Sequence, residues 1–243
     1  MQMRYKLELS YFGKDFHGWQ RQPNAISVQQ TIEDAINVVF RDEISISGCG
    51  RTDTGVHARK YVAHFDSENV YNNDAIAKLN NYLPFSIAMF SIESVSTDFH
   101  SRFNAISRTY EYQICLNKNP FLRDFAWSLF TKLDVNAMNI AAELLLKYTD
   151  FTSFSKLHTD VSTNNCDVQY AKFELVEGVL IFKITADRFL RNMVRAIVGT
   201  LIDVGKGKIN IDEFSTIIEA KDRSEAGQSA PAHGLFLVDV TYP

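Results

Sequence analysis

Residues 4 to 11, RYKLELSY, alternate strictly, with Tyr5, Leu7, Leu9 and Tyr11 on one face and Arg4, Lys6, Glu8 and Ser10 on the other. That period of two predicts a half-buried β-strand. The pattern then changes: Val28, Ile32, Ala35, Ile36 and Val39 recur at helical spacing behind Ser27-Val28-Gln29-Gln30, a capping-box signature, which predicts a helix to about residue 40. Strands are predicted at 44 to 48, 60 to 66 and 87 to 95, with a helix at about 74 to 82 before Pro84. The second half repeats the theme. A strand at 108 to 116 places Tyr110, Tyr112, Ile114 and Leu116 on one side, and a helix capped by Asp134 follows to about Tyr148. Two strands flank the Glu177-Gly178 turn, a long helix spans about 188 to 204, a shorter one follows Asp212, and LFLVDVTY forms a last strand. GKGK at 205 to 208 lacks the Ser/Thr of a phosphate-binding loop and is expected to end the long helix, with Gly205 as its C-cap.

This order predicts an α+β protein of two halves, 1–105 and 106–243, each with helices on one face of a mainly antiparallel sheet. No Pro/Gly/Ser-rich linker stands near residue 105, so the halves are expected to pack tightly around a shared cleft.

Composition narrows the class. At 243 residues, 46% apolar and 22% charged, with eleven Gly and five Pro, the chain has the make-up of a soluble globular protein. Cys49, Cys115 and Cys166 are odd in number, far apart and form no CxxC pair, which argues against a disulfide framework or a zinc knuckle and for a reducing, cytoplasmic setting. MQMRYKLELS carries charges at alternate positions and no apolar signal region, and no segment approaches the run of about 18 apolar residues of a membrane span, so neither secretion nor membrane insertion is expected. A net charge of −4 disfavours nucleic-acid binding by the whole surface and leaves it to a local basic patch.

Chemistry concentrates in GRTDTGVHA, 50 to 58. Asp53-Thr54-Gly55 is the tripeptide of pepsin-like proteases, but such an enzyme needs two carboxylates sharing one proton. Here the tripeptide occurs once, and Arg51 is its neighbour. Asp53 and His57 stand four apart, yet Gly48, Gly50 and Gly55 predict a loop, and no third metal ligand has diagnostic spacing. A turn-capping Asp53 beside a solvated Arg51 is the plain structural alternative. Two further segments change the weighting. Arg188, Arg191 and Arg195 fall on one side of the expected 188–204 helix, opposite Leu190, Met193, Val194, Ile197 and Leu201, and supply a local basic patch. SRTYEYQI, 107 to 114, offers tyrosines that either fill a core or stack on an unpaired base.

Seven segments in order resemble the TruA family of tRNA pseudouridine synthases: YFGKDFHGWQRQ at 11–22, SVQQTIEDA at 27–35, GRTDTGVHA at 50–58, DFHSRFNAISRTYEY at 98–112, DFTSFSK at 150–156, FLRNMVRAIVGTLIDVG at 189–205 and APAHGLFL at 230–237. The resemblance implies the pseudouridine synthase fold, two ferredoxin-like or RRM-like halves sharing an antiparallel sheet with helices outside and the active site in a central cleft. It implies Asp53 as the catalytic residue, Tyr110 as the active-site tyrosine, Arg195 as the partner of the aspartate, and Arg51 as a residue that holds the target nucleotide out of the stack. By extension Arg188, Arg191, Arg102 and Arg108 become candidate RNA contacts. The implied reaction isomerises uridine to pseudouridine at positions 38–40 of the tRNA anticodon stem-loop. No cofactor or metal is implied, and the implied partners are tRNA and a second copy of the chain in a homodimer. A non-catalytic tRNA-binding protein or RNA chaperone of the same fold is the alternative. One departure is VSTNNCDVQY at 161–170, where many relatives are arginine-rich.

Overall fold

A computed structural model describes residues 2–156 and 163–243 and divides the chain into two units, Met1–Ile106 with Leu237–Pro243, and Ser107–Phe236. The first unit is built around β1 (Met3–Tyr11), whose Tyr5, Leu7, Leu9 and Tyr11 are all buried, as the alternation predicts. α1 (Val28–Phe40) follows, its N-terminus capped by the Ser27 hydroxyl, which accepts a hydrogen bond from the Gln30 N–H at 3.2 Å. It ends at Arg41 in the left-handed region, φ 54°. β2 (Ser47–Gly48) is shorter than the expected 44–48 strand, whereas β3 (His57–Ser67) starts three residues before the expected 60–66 strand. α2 (Asn73–Tyr82) and β4 (Ile87–Val95) complete the local order.

The strands of this unit lie β4-β1-β3, with β2 also paired to β3; the β1/β3, β1/β4 and β2/β3 pairs are antiparallel. α1 and α2 pack together, and α2 packs on β4. β4 is the terminal strand, and the Asn80 carboxamide on α2 clamps its backbone, accepting from the Met89 N–H (2.7 Å) and donating to the Met89 carbonyl (2.8 Å). Such a bond pair blunts an edge that would otherwise recruit another strand.

The second unit comprises β5 (Ser107–Cys115), β6 (Trp127–Ser128), α3 (Val135–Leu144), β7 (Val168–Val176), β8 (Val179–Ala186), α4 (Met193–Gly205) and α5 (Ile211–Ala220). Its strand order is β5-β8-β7, antiparallel throughout, with the two-residue β6 parallel to β5. Glu177 and Gly178, at φ 48° and 82°, form the tight hairpin that the Glu-Gly pair predicts. Phe151, Phe154, Phe173, Phe182 and Phe214 lie in the core with the apolar side of α4. β7 is the terminal strand, and Asn139 of α3 clamps Phe173 as Asn80 clamps Met89, at 2.7 and 3.1 Å. The last strand, β9 (Leu235–Thr241), leaves the second unit after Phe236 and runs beside β3 in the first. There Asp239 pairs with Lys60 at 2.7 Å, and the Thr241 carbonyl accepts from the Ile106 N–H at 2.8 Å.

Two expectations need correction. The 188–204 helix begins only at Met193, because Asn192 adopts the left-handed conformation (φ 68°), and residues 188–192 are irregular. Asparagine tolerates that region far better than branched side chains do. Arg188 and Arg191 therefore do not share a helix face with Arg195. Nor is Gly205 the C-cap: it is the last residue of α4, Lys206 is the cap, and Gly207 takes the positive φ of 67°. Gly205 is required instead by close packing, since a Cβ there would collide with the Met138 side chain.

Candidate active site

The Gly50–Ala58 segment forms a loop that turns at Thr54-Gly55 and enters β3 at His57, so Asp53 and His57 share no helix face. Gly55 is at φ 81°, and the Val56 N–H donates to the Asp53 carbonyl at 3.1 Å, closing the turn directly behind the carboxylate. Asp53 is half-buried and Arg51, two residues before it, is exposed.

The 11–19 segment grips this loop at several points. The Tyr11 hydroxyl is hydrogen-bonded to Thr52 Oγ1 at 2.8 Å, and the Trp19 N–H donates to the Thr52 carbonyl at 3.3 Å. Gly13 N–H donates to His57 Nδ1 at 2.9 Å, and the His57 ring stacks on Phe12 at 4.9 Å between centroids. Tyr61 on β3 hydrogen-bonds the Gly50 carbonyl, while its ring stacks on Trp19 at 3.9 Å. The glycines permit this approach. A Cβ on Gly13 would strike the Val56 carbonyl, and one on Gly18, held at φ 84°, would strike the Thr52 carbonyl. Thr52 and His57 are thus buried and fixed on either side of an aspartate that keeps partial access to solvent.

Arg102 lies in the same unit but outside this loop, exposed, with its guanidinium 5.5 Å from the centre of the Phe103 ring. Beside it His64 is buried, its Nδ1 2.9 Å from Ser101 Oγ. Burial, reinforced by His100 and Arg4, drives the His64 imidazole down to about 4.

In the second unit β5 and β8 pair in a register that sets Arg108 opposite Ala186 and Tyr110 opposite Ile184. Arg108 Nη1 donates to the Asp187 carbonyl at 2.7 Å, and the Asp187 carboxylate accepts from the Arg188 N–H at 2.7 Å. Phe189 meets the half-buried Tyr110 ring edge-on at 5.1 Å. Arg108, Tyr110 and Arg188 are thereby gathered at one place. Tyr112, two residues further along β5, is wholly buried and donates to the Pro231 carbonyl at 2.8 Å. Burial raises its phenol above the ordinary range, against a lowering influence from the nearby Arg195 guanidinium.

Arg195 sits in the first turn of α4 and is held by the 228–231 segment, donating from Nε to the Ala230 carbonyl (2.8 Å) while its own carbonyl accepts from the Ala230 N–H (2.9 Å). Gly199 lets that segment pass, since a Cβ there would collide with the Gln228 carbonyl. Arg191 is exposed, and its carbonyl accepts from the Lys156 N–H at 3.0 Å, which ties the 150–156 segment to the start of α4. Cys166, buried against Met193, has its thiol pushed up to about 12 by burial and is not a nucleophile in that state. Val161 and Ser162 of the unusual 161–170 segment lie outside the described residues.

The family resemblance implies no role for Phe189, Trp19 or Tyr61. Phe189 was detectable as an aromatic beside arginines. The Trp19–Tyr61 stack joins residues distant in the chain, and no local pattern announces it.

Residues 141–243 match a family model described as tRNA pseudouridine synthase. Over 99% of its length the chain is 52% identical to a protein named tRNA pseudouridine synthase A from Parabacteroides distasonis, covering 96% of that relative. It is 51% identical to a protein of the same name from Porphyromonas gingivalis, over 99% of this chain and 97% of the relative. The likeness extends to Clostridium acetobutylicum, where the protein so named is 39% identical over 98% of both chains. An identity of one half across nearly every residue, with the seven segments lying inside it, makes this chain a member of the tRNA pseudouridine synthase A family.

Proposed function

We propose that the protein isomerises uridine to pseudouridine in tRNA, at positions 38–40 of the anticodon stem-loop, with Asp53 as the catalytic residue. The observation that carries the reading is the full-length identity to proteins named for this activity. The fixed Gly50–His57 loop, with its single partly accessible carboxylate, supports the role of Asp53.

In the reaction the bond from the ribose C1′ to uracil N1 breaks and a bond from C1′ to C5 forms. The C5 proton leaves to solvent and N1 gains one, so atoms balance without a cofactor or metal. A uracil stacked in a helix cannot turn, so the nucleotide leaves the stack first at a cost of a few kcal/mol. Arg51 holds it out, and Arg102, Arg108, Arg188 and Arg191 contact phosphates. Asp53, with its charge balanced by Arg195, either attacks C1′ or removes a neighbouring sugar proton. Tyr110, backed by Phe189, stacks on the released uracil and confines it while it turns.

Each half is read as one ferredoxin-like unit, 1–105 carrying the aspartate loop and 106–243 the tyrosine and the arginines. The order β4-β1-β3 in the first unit, with β2 and β9 both paired to β3, and β5-β8-β7 in the second supports this. The protein is cytoplasmic and works as a homodimer.

The test uses unmodified tRNA transcripts carrying tritium on uridine C5, incubated with the protein at neutral pH with a chelator present. Label release confined to transcripts with uridine at 38, 39 or 40 is expected. Binding without release would make the protein a non-catalytic tRNA binder.

A further inference from the structure

Among the described residues Glu33 is the one carboxylate in the buried core, and all its bonds lead towards the Asp53 loop. Its Oε2 accepts from Arg21 Nη1 at 2.9 Å. Its Oε1 accepts from Gln29 Nε2 at 2.8 Å and from the Ile46 N–H at 2.9 Å. Gln29, one turn earlier on the same face of α1, donates to the Ile46 carbonyl at 3.1 Å, and its Oε1 accepts from the Arg21 N–H at 3.0 Å and Gln20 Nε2 at 2.8 Å. Two stretches distant in sequence, 20–21 and residue 46, are thereby pinned to one helix face.

Both stretches flank the catalytic loop. Residue 46 leads through β2 into Gly50–Asp53. Residues 20–21 follow Trp19, whose carbonyl accepts from the Gln29 N–H at 3.0 Å and whose own N–H holds the Thr52 carbonyl. The connection runs from Glu33 through Gln29 and Trp19 to Thr52, the neighbour of Asp53. An ion pair whose guanidinium is half-exposed, as that of Arg21 is, adds little net stability. Its bonds instead fix directions, and three donors converging on one carboxylate leave little freedom to the segments that bear them.

We infer that Glu33, with Gln29 and Arg21, is a positioning network that sets the pose of Asp53 for the isomerisation, an inference that rests on the reading of Asp53 as the catalytic residue. None of the three touches the substrate. They act through Trp19 and the two ends of the loop, and their loss lets the carboxylate drift while the fold persists.

Steady-state label release from tritiated tRNA, on the full chain, tests this with Arg21→Ala, Glu33→Gln and Glu33→Ala. Because misplacement by about 1 Å costs about 100-fold, Glu33→Ala is expected to lower kcat by about 10- to 100-fold while KM for tRNA changes less than about threefold. Glu33→Gln keeps an acceptor for the Ile46 N–H and restores most of kcat. Arg21→Ala lowers kcat less, and adding it to Glu33→Ala has no further effect. Arg21 is 53% exposed in its side chain, so its variant remains decisive if Glu33→Ala does not fold. A folded Glu33→Ala or Arg21→Ala with wild-type kcat, or with its loss confined to KM, overturns the inference alone. Absence of release from the wild type, or undiminished release from Asp53→Asn, overturns the catalytic reading and this inference with it.

Discussion

The Gly50–His57 loop and the Asp187–Arg195 stretch both carry proposed site residues, but they are held in different ways. In the first, side chains and backbone from the 11–19 segment and β3 fasten residues 50, 52 and 57, and glycines at 13 and 18 allow contact at backbone distance. In the second, the anchors are mostly backbone groups: the Arg191 carbonyl on Lys156, the Arg195 carbonyl on Ala230 and the Asp187 carbonyl on Arg108. The contrast matches the chemistry proposed for each. A short carboxylate that must meet one sugar carbon has no reach to compensate for a loose loop, whereas a long guanidinium can adjust to a phosphate.

Substitutions can break that contrast. Gly18→Ala places a methyl against the Thr52 carbonyl at a residue of positive φ, and is expected to cost about 1–3 kcal/mol in urea unfolding. Through the shifted loop it also lowers kcat by about 100-fold. Asn192→Ala strains the turn before α4 by about 1–2 kcal/mol. It is expected to weaken tRNA binding, read as a rise in KM, with a smaller change in kcat than Gly18→Ala. Tyr110→Phe keeps the ring and its edge contact with Phe189, so less than about tenfold should be lost in kcat, a ΔΔG‡ under about 1.4 kcal/mol, against a much larger loss for Tyr110→Ala. Equal losses from the two would remove stacking as the role of Tyr110.

The smallest expected effect separates the units by pH. Among the described residues the buried histidines, His57 and His64, are both in the first unit. His64 has its pKa lowered to about 4 from 6.5, chiefly by burial, so the unfolded chain binds the proton first. The contribution of neutral His64 is present above about 6.5 and is lost as pH falls towards 4. Urea midpoints at pH 7 and pH 4.5 should therefore differ more for the wild type than for His64→Gln. An equal difference would show that His64 is not the group responsible.

Local periodicity carried most of the secondary structure. The strict alternation of residues 4–11 survives as β1, and the Glu177-Gly178 turn joins β7 and β8 as its composition requires. It failed at α4, where the spacing of Arg188, Arg191 and Arg195 fits a helix but Asn192 interrupts it; a left-handed residue leaves no mark on hydrophobic spacing. Of the candidate site, the Asp53 loop was legible because its glycines and turn residues are contiguous. Its supports were not, since Tyr11, Trp19, Tyr61 and Glu33 reach it through strand register and helix packing between distant segments.

The most direct test of Asp53 as the catalytic group is single-turnover label release by Asp53→Asn, with tRNA binding measured in parallel. Asparagine preserves the shape of the side chain and removes its charge. The expected result is unchanged tRNA affinity with release slowed about a thousandfold or more. Release within a few-fold of the wild type would contradict the role assigned to this carboxylate.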